Sequence, residues 1–154
     1  MMKYSFLIIL LLLTSTAQAS YCSGKNWHDA YQFYTHNIDV LNDHIDRYNG
    51  LLNQNNARQV SGETQPYLQA TYVIAELDKL SNDVEELGSK FTRVKELWQL
   101  IRDDCLNDDE LDYNSKAIEN MQGADIGRTE VNDLLSRIEY LRVYLFQVVE
   151  VERY

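Results

Sequence analysis

Two stretches of this chain hold apolar side chains at unbroken four-then-three spacing. The longer series is Val73, Leu77, Leu80, Val84, Leu87, Phe91, Val94, Trp98, Ile101 and Cys105. Such spacing lays every member on one stripe of a long helix, the seam by which coiled-coil helices grip a neighbour. With 45% of the residues hydrophobic, ten consecutive matches arise by chance roughly once in a few thousand registers. The shorter series, Trp27, Tyr31, Tyr34, Ile38, Leu41, Ile45, Tyr48 and Leu52, precedes it. The fold class is therefore all-α, an elongated antiparallel three-helix bundle with coiled-coil-like packing.

The helix ends follow from local chemistry. Asn26 can cap a first helix that carries Trp27, and Gly50 with Asn53, Gln54, Asn55 and Asn56 should let it fade near Asn53. After a polar connector through Ser61 and Gly62, Pro66 suits the first turn of a second helix ending near Asp104. Gly88 reads as a tolerated surface glycine within it. Asn107 with Glu110 has capping-box spacing and opens a third arm. That arm carries Leu111, Ile118 and Met121, then Val131, Leu134, Ile138, Leu141, Leu145 and Val148. Gly123 and Gly127 separate two sets slightly out of phase, so the arm is expected to break there. A four-helix bundle with the short piece packed separately is the alternative. Leu135, Tyr140, Tyr144, Phe146, Val149 and Val151 lie off the last seam. Contact with two neighbouring helices accounts for so wide an apolar face.

Residues 1–19 read as a cleaved signal peptide. Lys3 precedes the apolar run from Phe6 to Leu13, and Ala17-Gln18-Ala19 supplies a small-residue cleavage site. The run is shorter than the roughly 20 residues of a membrane span, so stable membrane insertion is not expected. Residues 20–154 then form a single helical-bundle domain, periplasmic or secreted. In an oxidising compartment an even cysteine count points to a disulfide, and an antiparallel hairpin brings Cys22 and Cys105 to the same end.

Charge narrows the partners. The chain has a net charge of −10, which argues against nucleic acid, because phosphate binding needs a basic surface. Asp103, Asp104, Asp108, Asp109, Glu110 and Asp112 form the densest acidic cluster. Acids at 108–110 suit a helix start, whereas Asp103 and Asp104 crowd a helix C-terminus. That end is the expected partner-binding surface, and a basic protein is the expected partner. From Asp108 the acids also echo a calcium loop, but Tyr113 replaces its turn glycine and Lys116 occupies its ninth position. His28, His36 and His44 are spaced by eight residues, about 12 Å apart along a helix, so they cannot share one ion and read as surface residues. No metal or cofactor is expected.

No Gly-x-Ser-x-Gly, His-Glu-x-x-His or phosphate-cradling glycine loop occurs. The expectation is a non-enzymatic exported protein that binds a protein partner as an inhibitor, immunity protein or chaperone-like adaptor. The alternatives are a structural subunit of an envelope or secretion assembly, in which the seams also allow a homodimer, and a weak cation or small-ligand carrier.

Overall fold

The computed structural model describes residues 21–22, 24–61, 66–105 and 111–151. Residues 1–19, expected to be a cleaved signal peptide, lie outside them. Three helices follow one another: α1 (Gly24–Ser61), α2 (Pro66–Cys105) and α3 (Leu111–Val151). At 1.5 Å per residue each is roughly 60 Å long. Their directions can be read from the contacts. Ion pairs Lys95–Asp125 and Arg142–Asp78 run in opposite numerical order, so α2 and α3 are antiparallel. The Cys22–Cys105 disulfide, with Cα atoms 5.1 Å apart, joins the start of α1 to the end of α2. The molecule is an antiparallel three-helix bundle.

All ten positions of the α2 seam are buried, from Val73 to Cys105. On α1 the seam is rotated from the expected one at alternate positions. Ala30, Asn37 and Leu51 are buried with Leu41 and Tyr48, while Tyr31 is 51% exposed and Ile38, Ile45 and Leu52 are half-buried. The occupied stripe is Trp27, Ala30, Tyr34, Asn37, Leu41, His44, Tyr48 and Leu51. It keeps heptad spacing, but two polar members conceal it. Nor does α1 run only from Asn26 to Asn53. It starts at Gly24 and reaches Ser61, anchored by buried Leu51 and by the Gln69 amide, which donates to the Gln54 carbonyl at 3.3 Å. Gly50 has open space around its Cα, so it needs no turn and costs only helix propensity.

The expected break in the third arm is absent: α3 is one helix through Gly123 and Gly127. Its seam continues upstream of Val131 through Ala117, Ala124 and Gly127, all buried. Small residues, not a break, explain the missing large apolar positions. A Cβ on Gly127 would fall on the Phe91 ring, 2.7 Å from Cδ1 and Cζ, and one on Gly123 would lie 2.9 Å from the Tyr34 hydroxyl oxygen. Each glycine is therefore a socket for an aromatic ring. Gly88 is similar rather than a plain surface residue, since a Cβ there would sit 3.3 Å from Val131 Cγ1. Residues 111–122 belong to this same rod, which removes the four-helix alternative.

Size complementarity divides the core. At the disulfide end, Trp98, Val94, Ile101 and partly buried Trp27 and Tyr34 pack with Ala30, Ala117 and Ala124. The Trp27 ring meets Trp98 edge-on at 4.9 Å and Tyr113 at 5.4 Å. At the other end aliphatic side chains dominate, with Leu77, Leu80 and Val84 set against Leu134, Ile138 and Leu145. The α2–α3 interface is the most extensive, and α1 touches α3 least.

Asn37 is fully buried, and neither amide atom meets a hydrogen-bonding group among the described residues. A polar side chain at one seam position restricts helix register at a cost in stability. Asn37→Leu should raise the unfolding free energy by about 1 to 3 kcal/mol, the usual penalty of an unpaired buried amide. Urea titration reads this as a higher midpoint at unchanged slope; an unchanged or lower midpoint would show that the amide is satisfied in solution.

Candidate interaction surface

The acidic end is partly consumed by the chain itself. Arg102 binds the Asp103 carboxylate through Nε at 2.9 Å and Nη2 at 2.6 Å. Asp104 Oδ2 accepts the Cys22 backbone N–H at 3.0 Å. These contacts offset the unfavourable placement of both acids at the C-terminus of α2. Asp108, Asp109 and Glu110 lie outside the described residues, and Asp112 falls in the first turn of α3. The six acids expected to act together are thus shown in place only at Asp103 and Asp104.

Nine of the twelve positions of the calcium-loop spacing, residues 111–119, are helical, and the other three, Asp108 to Glu110, lie outside the described residues. Among the described residues no group of three or more His, Cys, Asp or Glu side chains is placed to hold a metal ion. His28 and His36 are exposed, but His44 is half-buried on the α1 seam. Burial is the main influence on its imidazole and lowers its pKa below the ordinary 6.5; Asp83 and Asp43 oppose the shift, while Arg47 and Lys90 add to it.

This gives a signed pH dependence. The unfolded chain protonates His44 more readily than the folded one, so the stabilisation is complete above pH 6.5 and is lost as pH falls through the lower folded value. Glu76 responds in a separate, more acid range. The hydrogen bond from Lys79 lowers its pKa below 4.5, so its contribution disappears only below that pH. Urea midpoints should therefore fall as pH drops just below 6.5, and His44→Gln should remove that slope; an unaltered slope would assign it to other groups.

An apolar strip remains on the outside of α3. Tyr140 is 78% exposed and Val151 77%, with Tyr144 also exposed on the same side and Phe146 exposed about a third of a turn away. Core packing does account for buried Val149 and partly buried Leu135, but not for these four. Tyr140, Tyr144, Gln147 and Val151 repeat the four-three-four spacing on a second face, about a third of a turn from the main seam. Tyr144, Gln147, Val148 and Val151 line an open depression of about 270 Å³. The spacing was available in the sequence, yet periodicity alone cannot say which of two apolar stripes meets a neighbour.

The charged surroundings are uneven. Near this end Arg47 pairs with Glu76 and Asp83, Lys79 with Glu76, Arg137 with Asp133, and Arg142 with Asp78 and Glu139. These bases are engaged within the chain, which nevertheless keeps an excess of ten negative charges, a net −10.

Comparisons with protein-family models, curated proteins and solved structures return no match. Among the described residues no helix is long and apolar enough to cross a membrane.

Proposed function

We propose that this protein is an exported, non-enzymatic helical module that binds another protein, with the outer face of α3 as its contact surface. The exposed stripe from Tyr140 to Val151 carries this reading. Tyrosines are amphipathic and contribute strongly at protein interfaces, and a run of them at helical spacing suits recognition by another helix. Export is supported by the signal-like leader and by the Cys22–Cys105 bond, which persists in oxidising compartments. Blocking, protecting or chaperoning a partner in the periplasm fits a small acidic module without catalytic motifs.

Photo-crosslinking in the producing cells tests the reading. A photoreactive residue at Tyr140 or Tyr144 should give a discrete adduct with a different protein, whereas one at exposed Tyr31 on α1 should not. Adducts made only of two copies of this chain would favour the assembly-subunit alternative. No adduct from either α3 position would refute protein binding at this surface.

A further inference from the structure

Resting on that protein-binding reading, we infer that the α3 stripe takes a basic amphipathic helix, which lies along Tyr140, Tyr144, Gln147 and Val151 as a fourth member of the bundle. Three observations converge on this occupant. The four positions keep seam spacing, which a helix matches along its length and a loop does not. Tyr144, Gln147, Val148 and Val151, at i, i+3, i+4 and i+7 of α3, line an open depression with the spacing of a hole that takes one knob of a neighbouring helix.

Charge then chooses among helices. An acidic helix would meet Glu150, exposed about a quarter-turn around α3 from the stripe, whereas Glu139 on the same side is held by Arg142. Among the described residues, the cations nearest this segment of α3, Arg137 and Arg142, are already paired with Asp133, Asp78 and Glu139. A helix flanked by lysine or arginine gains from the same surroundings, and from the overall charge of −10 during approach. A second copy of this chain has the wrong sign, because it brings its own net negative charge.

The test uses the oxidised full chain and a labelled synthetic peptide of about three heptads, with leucine at the seam positions and lysine beside them. Fluorescence anisotropy should show saturable binding that weakens with added salt, and a glutamate-for-lysine peptide should not bind. Tyr140→Asp and Val151→Asp, at the two most exposed positions of the stripe, should each weaken binding by about tenfold. Ile126→Asp adds the same charge at an apolar position of α3 that is 63% exposed but lies outside the stripe, and it should leave affinity nearly unchanged. Circular dichroism should confirm that all three variants stay helical.

Equal effects of the three substitutions would overturn the inference by showing attraction to net charge alone, and no effect of any of them would overturn it by placing the peptide elsewhere on the molecule. A dimer by sedimentation that Tyr140→Asp dissolves would overturn it in favour of a second copy. Failure of the peptide with successful crosslinking at Tyr140 would remove the helical occupant and leave protein binding intact.

Discussion

Replacing both cysteines with alanine, Cys22→Ala with Cys105→Ala, should lower the unfolding free energy by about 4 kcal/mol. The bond closes a loop of 83 residues, and the chain-entropy relation gives roughly 4 to 5 kcal/mol for that length as an upper figure. It also fixes the helix with the weakest hold on α3 at the point where α1 begins. Without it the Cys22 N–H to Asp104 contact loses its covalent support, and exchange protection in the first turns of α1 should fall before that of the α2 core. Urea unfolding of the oxidised protein, the reduced protein and the double variant measures the loss. The two states without the disulfide should agree with each other and lie well below the oxidised midpoint; coincidence of all three would show that the sulfurs do not staple the bundle.

Gly127→Leu should be nearly as damaging, with an expected loss of about 3 kcal/mol, the upper end for overpacking a filled core. On an exposed helix face the change would be favourable by somewhat under 1 kcal/mol, because leucine is the better helix former. Here the first added carbon already falls on the Phe91 ring. Phe91 is fully buried on the α2 seam and has no room to withdraw. Phe91→Ala alone leaves a cavity and should cost about 3 to 5 kcal/mol. The double variant should be more stable than the sum of the two losses by at least about 1 kcal/mol, since each change supplies the space or volume the other lacks. Simple additivity in the cycle would mean that Gly127 and Phe91 do not share a site. A stabilising Gly127→Leu would place the glycine on the surface.

These two sites also mark the limits of reading the chain without coordinates. The α2 seam is legible because large apolar residues occupy all ten of its positions, and the disulfide follows once two antiparallel helices share an end. The α1 stripe is half legible: polar Asn37 and half-buried His44 occupy seam positions, so apolar periodicity points instead to Tyr31 and Ile38. The upper half of α3 is hidden for the opposite reason. Ala117, Ala124 and Gly127 are core residues by virtue of being small, and hydrophobic volume is contributed from across the interface by Phe91, Trp98 and Tyr34. Glycine's low helix propensity suggests a break when read locally, whereas two aromatic rings make it a packing requirement.

The proposed interaction surface is legible in spacing but not in exposure. Tyr140 and Val151 look like further core positions until the rods are placed, and only then do they face outward. Conversely, Asp103 and Asp104 look surplus until Arg102 and the Cys22 amide are found beside them. Charge runs do not reveal which members are spent on contacts within the chain.

An unbroken α3 underlies both its packing against α2 and the outward stripe, and the distance between spin labels at exposed Ser115 and Ser136 tests it most directly. These positions straddle Gly123 and Gly127, and a continuous helix separates their backbones by about 31 Å along its axis. A single narrow distribution near that value is expected in the oxidised protein. A clearly shorter distance, or two populations, would mean that the rod bends at its glycines and that the shared seam does not exist.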